Sequence, residues 1–226
     1  MAWCQGEAST LILKITKFGH ACVRIDNGRE ALVIDPGVMS PQHGILAGVD
    51  HVLITHEHFD HVDWERLATA MAANPQLTVY TCPGVARHLV SVADRVRVVR
   101  HGETFTVGGF DVSVVGEKHH VSHPDFAPVD NVGFLVDGDV LHPGDALPVL
   151  DVGTLLVPGQ APWMTMSDLI RYLRAVKPRR AFAIHDGLLS DWGLRVLDET
   201  LAREGAALGV EVRRLAVGES VQVEPR

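Results

Sequence analysis

The sequence THEHFDH occupies residues 55–61 and directly follows the strand-like sequence VDHVLI at residues 49–54. Four of its side chains, those of His56, His58, Asp60 and His61, are of types that can bind metal. Residues two apart in an extended segment point to the same side, so His56 and His58 can bind one ion. Asp60 and His61 follow where the chain turns towards a predicted helix, and they can serve a neighbouring ion. Imidazole nitrogen combined with carboxylate oxygen suits zinc, with manganese or iron as alternatives.

Two later segments offer further ligands for the same site, Gly144-Asp145 and Ile184-His185-Asp186. Taken alone, Asp145 is typical of a turn and His185 is typical of a hydrogen-bonded core histidine. Each of them, however, follows a strand-like run, in the same way as the first cluster does. The three segments together therefore predict that Asp145 and His185 are also metal ligands.

A third group of histidines lies at or beyond the end of a strand predicted over residues 110–115. Its members are His119, His120 and His123. Gly116 breaks the alternation of the strand, so the parity of the side chains does not decide which of the three faces the site.

Composition limits the class of protein. The chain has 226 residues, of which 46% are hydrophobic, which is ordinary for one α/β domain spanning residues 1–226. No window reaches the roughly 18 apolar residues of a membrane span. The first residues show no basic region followed by an apolar core, so a cytoplasmic location is expected. The net charge of −8 argues against nucleic-acid binding, and three distant cysteines argue against a disulfide framework.

Hydrophobic periodicity predicts strands and helices that alternate in two similar halves. Strands are predicted over residues 11–15, 22–25, 31–34, 49–55, 77–80, 96–99, 104–107, 110–115, 132–136, 154–157, 181–184, 210–212 and 221–223. Helices are predicted over residues 64–73 and 83–92, from a cap at Ser167 to Lys177, and up to about Gly205. This order of elements predicts an α/β fold, a four-layer αββα sandwich with helices outside two sheets.

The motif at residues 55–61 resembles the signature of the metallo-β-lactamase-fold hydrolases, and the resemblance covers nearly the whole chain. FGHAC at residues 18–22 and IDPG at residues 34–37 are similar to the opening strands of that family. The opening Gly19-His20-Ala21 is most similar to the lactonase-like and phosphodiesterase-like branch, which includes ascorbate-6-phosphate lactonases. The resemblance implies the αββα fold and a site with two divalent metal ions, of which zinc is the leading candidate.

The resemblance also implies how the ligands are divided. His56, His58 and a third histidine would bind the first ion, and the family pattern makes the first of the three candidates, His119, the preferred one. The second ion would be bound by Asp60, His61 and His185. Asp145 would bridge the two ions.

The expected activity is hydrolysis of a small ester, lactone or phosphodiester. Two ions about 3.5–4 Å apart lower the pKa of a shared water, which then attacks the carbonyl or phosphoryl centre, and Asp60 is the candidate to hold the proton of that water. Two divalent ions, two carboxylates and a hydroxide leave a charge of roughly +1, which favours an anionic small molecule or an anionic transition state. The alternatives are a non-catalytic metal-binding or sensor protein and an iron-dependent redox enzyme. The sequence does not indicate an oligomeric state.

Three further residues lie close to the motifs. Asp35 is expected either to hold a ligand imidazole or to form a Pro-Gly turn. His20 is expected to belong to the core or the pocket wall rather than to the ligands. Trp163 is expected to line the pocket or to lie in the core.

Overall fold

The computed structural model describes residues 12–41 and 44–225, which form two seven-stranded mixed sheets and four α-helices. In spatial order, the first sheet contains β14 (Ser220–Val223), β1 (Leu13–Gly19), β2 (Cys22–Asp26), β3 (Ala31–Ile34), β4 (His51–Ile54), β5 (Thr78–Thr81) and β6 (Val96–Val98). The second contains β13 (Glu211–Arg214), β12 (Arg180–Ile184), β11 (Thr154–Pro158), β10 (Val140–His142), β9 (Gly133–Val136), β8 (Phe110–Val115) and β7 (Thr104–Val107). The helices are α1 (Trp64–Ala73), α2 (Pro83–Ala86), α3 (Met166–Val176) and α4 (Asp191–Leu208), and a 3₁₀ turn covers Val90–Arg95.

The two sheets repeat one pattern of strand pairing. From β14 to β3 neighbouring strands are antiparallel, and from β3 to β6 they are parallel. From β7 to β10 and from β10 to β13 the second sheet shows the same change. This correspondence agrees with the two similar halves predicted from the sequence.

Strand β12 shows how the layers are stacked. Phe182 and Ile184 belong to the buried cluster that joins the two sheets. The alternate residues Ala181 and Ala183 belong to a second cluster, which contains the apolar side chains of α3 and α4. Because successive side chains of a strand point to opposite faces, the second sheet packs on the first sheet with one face and on helices with the other.

Helix α1 lies in the first of these clusters, where it buries Leu67 and Met71. It begins after Asp63, whose side chain accepts a hydrogen bond from the backbone of Arg66. The predicted αββα arrangement is confirmed, whereas the prediction of one domain over residues 1–226 stays a prediction.

The predicted helix ends were wrong in three places. The helix predicted over residues 83–92 ends at Ala86, and the chain continues in the 3₁₀ turn, in which Val92 has non-helical angles. Thr165, not Ser167, caps α3, because Thr165 and Asp168 form a reciprocal capping box. Helix α4 continues past Gly205 to Gly209, which takes the left-handed conformation at φ 70°.

A glycine is found inside α4 at position 205 because the chain that follows the helix passes close to it. A Cβ at this position would lie 2.9 Å from the Val210 carbonyl oxygen. No separate strand was predicted for β10, which ends at His142, shortly before the predicted ligand Asp145. The first predicted strand begins at Leu11, outside the described residues, and β1 continues from Leu13 to Gly19.

Two smaller expectations concern membranes and thiols. No helix of the described residues is both long enough and apolar enough to cross a bilayer. Cys22 and Cys82 are buried free thiols, and Cys4 lies outside the described residues.

Candidate metal centre

The predicted ligands meet at one edge of the sandwich, where strands end. His56 to His61 follow β4, Asp145 follows β10 and His185 follows β12. The carboxyl ends of parallel strands lie at a common edge, and the two packed sheets bring their edges together. The seven predicted ligands and His20 form two groups, and within each group one donor atom of every residue lies within 4.8 Å of the others. The groups are His56, His58, His119 and Asp145, and His20, Asp60, His61 and His185.

Asp145 lies between the two groups. Its Oδ1 is 3.1 Å from His61 Nε2, and its Oδ2 is 3.2 Å from Nε2 of both His119 and His185. The Trp163 indole N–H donates to the same Oδ2 at 2.7 Å, and the Asp145 backbone N–H donates to Asn131 Oδ1 at 3.0 Å. Trp163 and Asn131 therefore fix the position of Asp145, while both of its carboxylate oxygens face imidazoles.

Backbone and side-chain acceptors fix the orientation of three imidazoles. In each of these rings, Nδ1 donates a hydrogen bond of 2.6 Å, so that the Nε2 lone pair faces the centre. The acceptors are Asp35 Oδ2 for His61, the Gln160 carbonyl for His185 and the His120 carbonyl for His119. Partners of this kind orient metal-binding histidines in proteins.

The atoms that face the centre have no hydrogen-bond partner. They are Nε2 of His61, His119 and His185 and Oδ1 of Asp145, and all four are buried. A buried polar atom without a partner costs about 1–3 kcal/mol. Two ligands of one tetrahedral ion lie about 3.3 Å apart, close to the 3.1–3.2 Å separations around Asp145. The donor set and its spacing therefore fit divalent metal ions.

Hydrogen bonding and burial also favour the form of His56 and His58 that can bind a metal. The Thr55 hydroxyl donates to Asp35 Oδ2 at 2.7 Å, so its oxygen accepts from His56 Nδ1 at 3.0 Å. This leaves His56 Nε2 as a lone pair, 3.0 Å from His58 Nδ1. Burial lowers the pKa of both imidazoles, that of His56 well below its ordinary value. Both rings are therefore neutral, as metal ligands must be.

The second group has the opposite electrostatic character. Burial opposes protonation of His61, but the carboxylates of Asp145 and Asp35 raise its pKa well above the ordinary value. Burial likewise opposes protonation of His185, but the neighbouring carboxylates of Asp145 and Asp60 raise its pKa to about 9. The carboxylates thus create a local field that favours positive charge, which a divalent ion would supply.

The structure separates the three candidates for the third histidine. His119 lies in the first group. His120 instead packs on Trp163, with ring centroids 5.0 Å apart. His123 is exposed and lies beside Asp125 and Phe126.

Other residues around the two groups were predicted only in part. His20 is buried, as expected of a residue of the core or the pocket wall, but it also lies within reach of the second group. Asp35 combines its two expected roles, because it turns the chain after β3 with φ 52° and accepts a hydrogen bond from His61 Nδ1. Gln160 and Asn131 act through one carbonyl and one amide, and nothing in the sequence singled them out.

The chain matches a known family over most of its length. Residues 14–185 match the family described as a beta-lactamase superfamily domain. The chain is 37% identical over 186 residues to protein Rv0786c of Mycobacterium tuberculosis, which covers 79% of this chain and 86% of that protein. It is 26% identical over 235 residues to the UPF0173 metal-dependent hydrolase MJ1163 of Methanocaldococcus jannaschii, covering 92% and 100% of the two chains.

A solved structure agrees with the fold. The metallo hydrolase Igni18 of Ignicoccus hospitalis has a TM-score of 0.72 and 19% identity, with 95% of this chain and 100% of that chain covered. The predicted superfamily and its general class are confirmed by these comparisons, while the lactonase-like branch stays a prediction. Several proteins to which the chain is similar are named metal-dependent hydrolases, and the chain belongs to the β-lactamase superfamily.

Proposed function

We propose that this protein is a dinuclear metal-dependent hydrolase of small esters or lactones, with zinc as the leading metal and manganese or iron as alternatives. One observation carries the proposal, namely the four buried atoms without hydrogen-bond partners that converge around Asp145. Two divalent ions, one in each group, would give each of these atoms a partner.

The chemistry follows from the side chains present. When bound, two divalent ions lower the pKa of water and stabilise the oxyanion that forms on the substrate. His56, His58 and His119 would offer imidazole nitrogens to an ion on one side of Asp145, and His61 and His185 would offer them on the other. Asp60 is the one carboxylate that is not enclosed between the two groups, so we assign it to hold the proton of the attacking water.

The shape and polarity of the neighbouring cavity favour an uncharged substrate. A cavity of about 720 Å³ begins at His58 and His119 and continues under the loop of residues 118–129. Apolar side chains of this loop include Val121 and Phe126, both about two-thirds exposed. Burying such surface against a ligand contributes roughly 25 cal/mol per Å². The cavity therefore suits a substrate that carries an apolar group beside the reacting carbonyl.

The charged side chains of the same cavity also favour an uncharged substrate. Among the described residues that line it, the only lysine or arginine is Lys118, and its ammonium is 2.6 Å from the Asp130 carboxylate. A phosphodiester would enter without a free cation apart from the metal ions. We therefore assign the excess positive charge of the centre to the anionic transition state of an ester or lactone rather than to an anionic substrate. A lactone would agree with the lactonase-like opening sequence at residues 19–21.

The test combines metal analysis with a substrate panel. We expect about two divalent ions per chain and turnover of esters or lactones that carry an apolar group. A His58→Ala variant should lose turnover and metal together, while His101→Ala, which changes an exposed histidine outside the two groups, should keep both.

Three results would contradict the proposal. Fewer than one ion per chain, with no rescue by zinc or manganese, would remove the metal centre. Full metal loading without hydrolysis of any ester, lactone or phosphodiester would favour a sensor. Turnover that depends on iron and on oxygen or peroxide would favour a redox enzyme.

A further inference from the structure

We propose that His20 is a positioning residue for Asp60, and that it does not bind metal although it lies among four residues that could hold an ion. This inference rests on the proposed dinuclear centre and specifies which side chains complete it. In it, Asp60, His61, His185 and the bridging Asp145 serve the second ion, and His20 holds Asp60 in place.

The hydrogen bonds of His20 determine which ring nitrogen carries the proton. The Gly187 backbone N–H donates to His20 Nδ1 at 3.0 Å, so Nδ1 must be an acceptor without a proton. A neutral imidazole then carries its proton on Nε2. That Nε2 lies 3.1 Å from Asp60 Oδ2 and donates to it. The ring therefore has no lone pair left to offer an ion.

The neighbouring histidines show the reverse arrangement. His61 and His185 both donate through Nδ1 and leave Nε2 without a partner. In His20, Nδ1 accepts and Nε2 is already bound to a carboxylate. Two kinds of histidine therefore lie in one cluster, and the pattern of hydrogen bonds distinguishes them although distance alone does not.

The backbone around His20 is built to keep this orientation. The His185 N–H donates to the His20 carbonyl at 2.9 Å, and the Gly187 N–H donates to its ring, so one short segment holds both ends of the residue. A Cβ on Gly187 would lie 3.0 Å from His20 Nδ1 and 2.9 Å from the Met39 methyl carbon. Only glycine allows the backbone to approach the ring so closely.

The consequence for Asp60 is a fixed carboxylate. Its side chain is partly accessible, at 13% exposure, and its Oδ2 also lies 3.5 Å from His185 Nε2. Without the N–H of His20, the carboxylate would be free to rotate away from the second group. Loss of such an orienting partner typically costs 10–100-fold in metal affinity or activity.

The experiment compares two substitutions with opposite chemistry. His20→Leu removes the donor, while His20→Gln keeps an N–H donor near the position of Nε2. His51→Leu is the control, because it changes a partly buried histidine of β4 outside the two groups. The measurements are the number of zinc ions per chain at saturation, the Kd of the weaker ion by chelator competition, and kcat and KM.

We expect His20→Leu still to bind two ions at saturation, with a Kd for the weaker ion that is about 10–100-fold higher. We expect His20→Gln to recover most of that loss and His51→Leu to match the wild type. If His20 were a ligand, the Leu variant would bind one ion even at saturation. If its role were only structural, thermal stability would fall while the Kd stayed unchanged, and either result would overturn the inference.

A second measurement needs no variant that might fail to fold. Nitrogen-15 NMR of the zinc-loaded wild type distinguishes the two tautomers of each histidine ring. We expect the proton of His20 on Nε2 and the protons of His61 and His185 on Nδ1, and a proton on His20 Nδ1 would refute the positioning role. Metal content of the wild type separately tests the proposed function, so failure of the dinuclear centre is distinguishable from failure of this inference.

Discussion

Asp35→Asn tests whether the carboxylate behind His61 supports both the fold and the metal centre. Asp35 is fully buried and accepts three hydrogen bonds, from the Thr55 N–H at 2.8 Å, the Thr55 hydroxyl at 2.7 Å and His61 Nδ1 at 2.6 Å. Asparagine has the same shape and tolerates the positive φ of this position. The substitution therefore changes the charge and one acceptor but adds no backbone strain.

The magnitude follows from the bonds that asparagine is unable to keep. One oxygen becomes an NH₂ group that faces a donor, so at least one of the three bonds is lost and the others no longer end on a charge. Buried hydrogen bonds to charged groups contribute about 1.5–3 kcal/mol each, so the free energy of unfolding should fall by about 2–4 kcal/mol. His61 also loses the partner that fixes its tautomer, which should weaken metal binding by about 10–100-fold.

Chemical denaturation of the metal-free protein measures the first effect, and chelator competition measures the second. Asp26→Asn is the matched control, because Asp26 pairs with Arg24 on the partly exposed edge of β2. Its effect on the free energy of unfolding should stay below about 1 kcal/mol. An Asp35→Asn protein with the stability and the metal affinity of the wild type would show that this carboxylate does not support the centre.

Four further predictions concern other parts of the molecule. Gly37→Ala should destabilise the protein by about 3 kcal/mol and lower its metal content, because a Cβ there would lie 1.9 Å from the Asp60 carbonyl oxygen; thermal denaturation and metal analysis measure both. Activity and bound metal should fall together as the pH drops below about 6, because imidazoles must be neutral to bind metal, and a rate that fell while the metal stayed bound would contradict this. The Arg174 guanidinium holds the pKa of Glu204 below its ordinary value. This ion pair therefore stabilises the fold fully at a pH above the pKa of the glutamate in the unfolded chain. The stabilisation is lost as the pH falls through the lower pKa of the glutamate in the folded protein. Glu204→Gln should therefore lower stability by about 1 kcal/mol at pH 7 and by less at pH 3 in denaturant titrations. Phe126→Ala should raise KM for substrates with an apolar group while kcat changes little, and steady-state kinetics on a series of acyl chains measures this.

The part of the centre that lies within one motif could be predicted from the sequence. His56, His58, Asp60 and His61 are close in the chain, so spacing alone indicates that they share a site. His185 could be predicted because it directly follows the strand predicted over residues 181–184, whereas no separate strand was predicted before Asp145, which was identified from its place in the order of the motifs. A strand end has a definite place at the edge of a sheet, and this converts position in the chain into position in space.

The other partners that orient the proposed ligands could not be predicted in this way. Gln160 acts through its backbone carbonyl, which every residue possesses, and so its side chain gives no signal. His20 has the same side chain as the proposed ligands His61 and His185, and only the direction of its hydrogen bonds distinguishes it from them. Such directions depend on how two loops from different sheets approach each other, which periodicity does not describe.

Backbone conformation at three positions of the centre also departs from what strand periodicity describes. His20, Asp35 and His185 have φ values of 45°, 52° and 56°, a region that residues other than glycine rarely enter. Each of them directly follows a strand, where the left-handed turn directs the side chain back towards the space between the sheets instead of continuing the alternation. Each such residue costs about 1–3 kcal/mol, so it persists only because the hydrogen bonds around it require that geometry. The strain and the chemistry therefore lie at the same positions, and a departure from strand alternation at a strand end is the structural feature that assembles this centre.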